Sequence, residues 1–228
     1  MKIDKYISQH TKCSVRQALI LLNEKRVLLN KKTAKYNAIV NKGDVVEVNN
    51  VRIIEKEFTP TYIAYHKAKG IVCTSEKIED NIIDAIKHPE NIYPIGRLDK
   101  DSEGLILLTN ITALIDKVAN PKFEHEKEYI VTLNLPLTTK FINDIKKGID
   151  IGSGEITSPC EVFAEPNTKR VFRIILKQGL NRQIRKMCNK YKYQVIKLQR
   201  TRVKHIELGD LKVGEWRNLT SEEIKGLL

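Results

Sequence analysis

The segment that most constrains this chain runs from Gly96 to Asn110, where an acidic turn lies between two apolar pieces. The run Leu105–Leu108 is short, apolar and bounded by polar residues, which is typical of a buried strand. Gly104 directly precedes this run and permits backbone conformations that other residues resist. The segment therefore predicts a buried strand that begins immediately after a turn carrying three carboxylates.

Three interpretations of that turn are compatible with its residues. Asp99, Asp101 and Glu103 are spaced two apart, and Asp, Ser and Gly populate solvated turns for local reasons. The same spacing matches the start of a calcium loop, but the position of the last ligand, where a bidentate Glu is expected, holds Asn110. The third interpretation is catalytic: one carboxylate, Asp99 beside Arg97, lies in a cleft.

Charge is the compositional feature that bears most on function. The 228 residues carry a formal net charge of +12, with a pI of about 9.4. Such an excess favours a polyanionic partner, either nucleic acid or an anionic membrane surface. No apolar run approaches the length of a membrane span, and the first residues do not form a signal peptide. We therefore expect a soluble cytoplasmic protein with one medium and one small domain.

The residue patterns of metal and nucleotide sites are missing from the sequence. The four cysteines are widely spaced, so they predict neither a zinc site nor a disulfide framework. The five histidines are scattered, and no Gly-rich loop ends in Lys-Ser or Lys-Thr. We therefore expect no metal and no cofactor, and nucleotide hydrolysis is not predicted.

Residues 1–48 are predicted to form a small basic module. Ser14 and Gln17 form a capping box, which marks the start of a helix. Apolar residues recur at helical spacing after that cap, and they predict a buried face made of Val15, Ala18, Leu19 and Leu22. The module has ten basic and four acidic residues. A solvated surface would explain that surplus, but phosphate binding is the interpretation that the charge favours.

Residues 49–60 are predicted to be a polar connector, and residues 61–228 a larger domain. In that domain, predicted strands alternate with predicted helices without a regular βαβ rhythm, which predicts an α+β fold with a mixed, mainly antiparallel sheet. The predicted strands are 62–65, 105–108, 129–133 and 171–176. The predicted helices are 82–86, 111–118, 138–147, one after Asn181 and one after the cap at Thr220.

A long basic run stands out between Asn181 and His205. It contains nine basic residues and no acidic one, with Tyr191 and Tyr193 interleaved. A charge run is usually a solvated face. Like charges at this density repel unless a polyanion neutralises them, so the run favours a nucleic-acid partner.

The basic module resembles the RNA-binding module of ribosomal protein S-four. The matching pieces are Asp4–Ser8, Cys13–Ser14 with Arg16, Val27 with Asn30, and Gly43–Val46. The sequence departs from that family at Val15, where another Arg is frequent, and at Lys31, where Gly is usual. The resemblance implies that the module binds RNA, with Lys12 and Arg16 among the residues that contact it.

Three further segments resemble, in the same order, the motifs of the RNA pseudouridine synthases. They are Gly96–Asp99 with Ser102 and Gly104–Leu105, then Lys127–Tyr129, then Gly179–Met187. The module ahead of them is similar to that of the RsuA/RluB/RluE/RluF branch, and the segments Leu198–Arg202 and Gly214–Arg217 are most similar to RluF-type members. The resemblance covers nearly the whole chain. Ala68 departs from it, because the family usually has Pro at that position.

The resemblance implies that the chain isomerises uridine to pseudouridine within RNA, without a cofactor or metal. Asp99 would be the catalytic carboxylate, acting either as a nucleophile or as a base. Arg185 would keep that carboxylate ionised, since Arg cannot lose its proton and can bind a carboxylate with two hydrogen bonds. Tyr129 would stack on the detached base and help to remove the proton from its carbon five.

The remaining expected roles concern RNA binding. Arg97 would fill the space that the extruded base vacates, and Leu198 would line the pocket. Arg182 and Lys186, in the basic run, would contact phosphates. The resemblance implies large-subunit (23S) ribosomal RNA as the substrate, with a tRNA anticodon loop left open, and we expect the chain to act as a monomer. The alternative is a non-catalytic RNA chaperone or assembly factor that keeps the fold.

Overall fold

A computed structural model describes residues 1–11, 13–55, 57–76, 78–152 and 154–228 of the chain. These residues form two compact units. The first unit consists of residues 1–60 and 88–92, and the second of residues 61–87 and 93–228. The predicted α+β class with a mixed, mainly antiparallel sheet is confirmed.

The first unit is a pair of helices with a small sheet. Its elements are helices α1 (Ile3–His10) and α2 (Val15–Asn23) and strands β1 (Val27–Leu29), β2 (Lys32–Thr33), β3 (Val46–Val48) and β4 (Val51–Arg52). The strands form an antiparallel sheet in the order β2-β1-β3-β4. Helix α1 was not predicted, and β4 lies within the segment predicted to be a connector.

Helix α2 begins at the predicted cap. The Ser14 hydroxyl accepts a hydrogen bond from the Gln17 N–H, and the Gln17 side chain accepts one from the Ser14 N–H. Ala18 and Leu22 are buried, as predicted, in a core shared with α1. The prediction for Leu19 is wrong, because its side chain is 41% exposed. The buried residues of the helix, Ala18 and Leu22, are four positions apart and form a narrow stripe. Leu19 lies about 100° around the helix from Ala18, outside that stripe.

The second unit is built on one large sheet. Its strands are β5 (Tyr62–Lys67), β6 (Tyr93–Ile95), β7 (Glu103–Thr109), β8 (Lys127–Leu133), β9 (Glu161–Ala164), β10 (Val171–Leu176), β11 (Val195–Val203), β12 (Ile206–Glu207) and β13 (Trp216–Asn218). Its helices are α3 (Ile82–Ile86), α4 (Thr112–Ala119), α5 (Thr139–Lys147), α6 (Gln183–Lys190) and α7 (Ser221–Leu227), with a 3-10 helix at Pro121–Phe123. The sheet order is β13-β5-β7-β11-β8-β10-β9, with β6 on β7 and β12 on β11.

The sheet is packed on apolar residues from strands and helices. The four residues Leu105–Leu108 of β7 are all 1% exposed or less, so both faces of this strand are covered. A strand buried on both faces has a continuous apolar sequence rather than an alternating one. One core cluster contains Phe141 of α5 and Met187 of α6, and another contains Leu114 of α4 and Leu227 of α7. The apolar stripes of these helices were visible in the sequence, and they hold the sheet.

Strand β11 was not predicted, since it lies within the basic run. It lies between β7 and β8, and its pairing with β7 is the one parallel pairing among the described strands. Gly104 of β7 has φ +110, and a Cβ at this position would overlap the backbone of Arg200. A residue without a side chain is therefore required for β11 to approach. That approach places β11 beside the end of the turn formed by residues 96–104, which carries the first of the three motifs and is called the first-motif turn below.

Among the described residues, no helix is long and apolar enough to cross a membrane. No group of three or more His, Cys, Asp or Glu side chains in the same part of the chain is placed to hold a metal ion.

Candidate active site

A cavity of about 400 Å³ in the second unit brings the three sequence motifs together. The first-motif turn, the start of β8, the segment before α6, and strand β11 all contribute to its walls. Five of the predicted site residues line it: Arg97, Asp99, Tyr129, Arg182 and Leu198. The wall combines apolar and charged side chains, which is typical of a binding site for a small chemical group.

The first-motif turn is held by backbone contacts on both sides of Asp99. The Ser102 N–H donates a hydrogen bond to the Asp99 carbonyl oxygen at 3.1 Å, which closes the turn. Leu98 is buried, and its N–H lies 3.3 Å from the Cys73 sulfur. Because Leu98 anchors the turn in the core, the neighbouring Asp99 is held at the cavity wall, where it is half-buried.

The three carboxylates of the turn have different surroundings. Asp101 accepts two hydrogen bonds from Arg182, at 3.0 and 2.9 Å, and these bonds are the main reason why the pKa of its carboxyl is lowered. Glu103 forms an ion pair with Lys197 at 2.9 Å. No cationic nitrogen of the described residues lies within 4.0 Å of the Asp99 carboxylate. Two of the carboxylates are thus directed at cations of the chain, which does not suit a calcium loop, and Asp99 faces the cavity.

Arg185 braces the turn through Asp101. Its Nη2 donates to the Asp101 carbonyl oxygen at 2.8 Å, and its Nε lies 3.3 Å from an Asp101 carboxylate oxygen. Its Nη1 donates to the Val195 carbonyl oxygen at 3.2 Å. The structure therefore places Arg185 beside Asp101 rather than beside Asp99, and the catalytic role of Arg185 stays a prediction.

Tyr129 and Leu198 form part of the cavity wall from neighbouring strands. Tyr129 lies on β8, directly opposite Arg200 of β11, and it packs partly against the core cluster that includes Leu198. Leu198 is 6% exposed. An aromatic ring and an aliphatic side chain on adjacent strands give this part of the cavity an apolar surface.

The burial of three cations near the cavity was not predicted from the sequence, and two of them are almost fully buried. Lys67 of β5 is fully buried and Arg200 is 3% exposed, while Lys127 is half-buried and lines the cavity with Arg200. Burial lowers the pKa of Lys67 and of Lys127, and the positive charge of Arg200 lowers both further. Charged side chains are almost never fully buried without a partner. Because Arg200 lies in a charged run that favours contact with a polyanion, its burial could not be predicted from the sequence.

The other predicted RNA-binding residues lie in three places. Lys186 pairs with Glu155 at 3.1 Å and lines a second cavity of about 400 Å³ together with Arg182 and Arg185. Arg16 is exposed on α2 in the first unit. Lys12 lies outside the described residues.

Comparison with known proteins agrees with the motifs. A family model described as RNA pseudouridylate synthase matches residues 61–190, and a model described as S4 domain matches residues 1–46. The chain is 45% identical over 226 residues to the dual-specificity RNA pseudouridine synthase RluF of Escherichia coli (strain K12), covering 98% of this chain and 77% of that protein. It is 30% identical over 234 residues to the ribosomal large subunit pseudouridine synthase B of Bacillus subtilis (strain 168), covering 99% and 95%.

A solved structure gives the same result for the fold. A crystal structure described as a pseudouridylate synthase superposes with a TM-score of 0.71 at 25% identity, covering 100% of both chains. The resemblances found in the sequence are thereby confirmed for both the basic module and the larger domain.

Proposed function

The chain belongs to the RNA pseudouridylate synthase family and is an RNA pseudouridine synthase; on that premise, we propose that Asp99 is the carboxylate that acts on a uridine extruded into the 400 Å³ cavity. One observation carries this assignment. Of the three carboxylates in the first motif, Asp99 alone lines the cavity, while Asp101 and Glu103 are engaged by Arg182 and Lys197. A carboxylate held at a cavity wall without a bound cation keeps its lone pairs available for reaction.

The reaction is an isomerisation, so the product has the same atomic composition as uridine, with one proton lost from C5 and one gained at N1. The bond between C1′ of the ribose and N1 of the base breaks, and its electron pair stays with the base. Asp99 acts either by bonding to C1′ as a nucleophile or by removing a proton from the sugar as a base, and both routes detach the uracil. The base then turns and its C5 bonds to C1′, which releases C1′ from Asp99 in the first route and returns the proton to the sugar in the second. The C5 proton leaves, and N1 takes up a proton.

The cavity walls have separate roles in that sequence. The Tyr129 ring stacks on the base and its hydroxyl helps to remove the C5 proton, while Leu198 covers the apolar side of the pocket. Extruding a base from its stack costs a few kcal/mol. Arg97, which is exposed at the cavity rim, fills the vacated space and offsets part of that cost.

RNA phosphates are the proposed ligands of the remaining predicted basic residues. Arg182 and Lys186 form ion pairs with the carboxylates of Asp101 and Glu155. A phosphate is also an anion, so the same side chains can bind one. Arg16 and Lys12 supply phosphate contacts from the first unit. Such contacts give affinity, and the extruded uridine and the RNA shape give selectivity.

We propose large-subunit 23S ribosomal RNA as the substrate, with a tRNA anticodon loop as a second one, both modified in the cytoplasm. The two curated relatives support this range, because one is named a dual-specificity RNA pseudouridine synthase and the other a ribosomal large subunit enzyme. Pseudouridine mapping in 23S RNA and in tRNA, with and without the protein, tests the proposal. A protein that produced no pseudouridine in either RNA would instead act as an assembly factor.

The Asp99→Asn variant tests the mechanism. The amide cannot act as a base or a nucleophile, so we expect pseudouridine formation to be lost, while the Kd for RNA stays within about 3-fold of the wild-type value because phosphate contacts are unchanged. Single-turnover pseudouridine assays and filter binding measure the two quantities. Normal turnover by this variant would remove Asp99 from the reaction.

A further inference from the structure

Arg200 is a buried cation without a counter-ion in the described residues. Its side chain is 3% exposed and lines the cavity. No carboxylate of the described residues lies within 4.0 Å of it, and its Nη2 atom is buried there without a hydrogen-bond partner. Buried charges are normally paired, so the positive charge of Arg200 requires an anion that the described chain does not supply.

The remaining atoms of Arg200 fix the guanidinium at the first-motif turn. Its Nε donates to the Leu105 carbonyl oxygen at 2.7 Å, and its Nη1 makes a longer hydrogen bond of 3.4 Å with the Arg97 carbonyl oxygen. Those two carbonyls lie on either side of Asp99 in sequence. The Arg200 side chain therefore spans the turn that presents the proposed reacting carboxylate.

The strand register places Arg200 beside the aromatic wall. Arg200 is directly opposite Tyr129 in the antiparallel pairing of β11 with β8, and side chains opposite each other in such a pair lie on the same face of the sheet. Both residues line the cavity. A base stacked on the Tyr129 ring would consequently occupy the cavity that the guanidinium lines.

The other cations around the cavity are already occupied. Arg185 is bonded to Asp101 and to the Val195 carbonyl oxygen, and Lys67 donates to the carbonyl oxygens of Ala68 and Ile71. Lys127 donates to the His125 carbonyl oxygen. The Arg185 Nε also lacks a hydrogen-bond partner, but it lies 3.3 Å from an Asp101 carboxylate oxygen. Among the described residues, Arg200 is thus the buried arginine at the cavity that has no carboxylate within 4.0 Å.

We propose that Arg200 is a further catalytic residue, whose guanidinium stabilises the negative charge that the uracil acquires when the bond between C1′ and N1 breaks. This inference rests on the proposed function of the cavity. The electron pair of that bond moves into the base, where the charge is shared by N1 and the ring carbonyl oxygens. A fixed cation in a water-excluded site stabilises such charge strongly and needs no reorganisation when the charge develops.

Two substitutions of Arg200 and a matched control test the proposal. Arg200→Met removes the charge, Arg200→Lys retains it, and Arg173→Met removes another partly buried Arg of the second unit, which pairs with Glu165. The substrate is the RNA transcript in which the wild-type protein forms pseudouridine, labelled with tritium at C5 of its uridines. The measurements are tritium release in single turnover, the Kd for RNA, and the melting temperature of each variant.

We expect Arg200→Met to slow tritium release by about 100-fold or more, with the Kd for RNA within about 3-fold of wild type. Arg200→Lys is expected to stay within about 10-fold of wild type near neutral pH, and Arg173→Met within about 3-fold. A rate for Arg200→Met equal to that of Arg173→Met would overturn the proposal. So would equal rates for the Met and Lys variants of Arg200, because shape rather than charge would then matter.

The pH profile of Arg200→Lys decides the question even if Arg200→Met does not fold. The titratable groups that interact with Arg200 or share its cavity wall are Lys67, Cys73, Asp99, Lys127 and Tyr129. A lysine buried among cations loses its proton more readily than an arginine, as the lowered pKa values of Lys67 and Lys127 show. The ratio of the Arg200→Lys rate to the wild-type rate should therefore fall as the pH rises from about 7 to about 9.5.

A ratio of the two rates that stayed constant over that pH range would overturn the proposal.

Failure of the Arg200 proposal can be distinguished from failure of the proposed function of the cavity. If the wild-type protein forms no pseudouridine in any RNA, the proposed function fails and this inference fails with it; if the wild-type protein is active and the Arg200 variants match the control, this inference alone fails.

Discussion

Asp99 and Asp101 are the same residue type two positions apart, yet their surroundings assign them different tasks. Asp101 is bonded to Arg182 and lies next to Arg185, so it serves as a link between the first-motif turn and the segment that begins α6. Asp99 lines the cavity instead. The proposed reacting carboxylate thus lies in a turn held by its neighbour's ion pair, and we expect the two side chains to have separable effects on stability and on rate.

The Asp101 ion pair predicts a pH-dependent contribution to folding. Arg182 holds the pKa of the Asp101 carboxyl below its ordinary value of 3.8. A lowered pKa means that the pair stabilises the fold fully above about pH 4 to 5, and that this stabilisation is lost as the pH falls through the folded pKa. The coupling free energy between Asp101→Asn and Arg182→Met should therefore be positive at pH 7 and fall towards zero in acid.

Urea unfolding of the wild type, both single variants and the double variant measures that coupling, because a double-mutant cycle isolates the pairwise contribution. Both side chains are more than one third exposed, so solvent screening keeps the effect small. A coupling free energy that stayed constant from pH 7 to the acid limit of folding would contradict the assignment of the lowered pKa to this pair.

At the scale of elements, the sequence predicts those whose signals are local. The capping box at Ser14 and the helix 138–147 that ends at Gly148 are present because caps and helical spacing act within a few residues. Strand β11 was missed because its central place depends on pairing with β7 and β8, which are distant along the chain. Its charged composition also contradicts the usual pattern of a central strand.

For the site residues too, what local sequence signals indicate was predicted, and what depends on distant contacts was not. Motif positions 97, 99, 129, 182 and 198 were brought to one cavity by the fold. The partner of Arg185 and the burial of Arg200 could not be inferred, since both depend on which backbone oxygens and carboxylates the three-dimensional pairing brings near.

Gly104→Ala tests the pairing between β7 and β11. An added Cβ would overlap the backbone of Arg200, and the φ of +110 is unfavourable for any other residue. Gly70→Ala is a matched control, because Gly70 has a φ of +96 and no atom within 4 Å of the added Cβ. We expect Gly104→Ala to lower the free energy of unfolding by at least about 1 kcal/mol more than Gly70→Ala.

The measurement is urea denaturation of both variants beside the wild type. Overlap with a backbone atom cannot be relieved by turning a side chain, so the strands must separate. Separation would also displace Arg200 and Leu198 from the cavity, and the rate of pseudouridine formation by Gly104→Ala should fall together with its stability. Equal stability of the two variants would show that β11 tolerates the added atom.

At the scale of the whole molecule, positive charge is distributed over both units. The N-terminal module has a surplus of six positive charges, and the run 181–205 adds nine basic residues in the second unit. That run divides between a central strand and exposed positions, so only part of it can contact RNA. The first unit is therefore expected to supply a distinct share of the phosphate contacts, and this share is measurable through salt dependence.

Arg16→Gln should weaken RNA binding and reduce the slope of log Kd against log salt concentration by about 0.7 to 0.9, because each lost phosphate contact releases about that many fewer counterions. Lys140→Gln is the matched control, because this substitution removes the same unit of charge. The Lys140 side chain is 77% exposed and pairs with Asp144 on α5. If net charge alone governed binding, both variants would change the slope equally. We expect the slope of Lys140→Gln to equal that of the wild type, and an Arg16→Gln slope that also matched it would show that α2 makes no phosphate contact at this position.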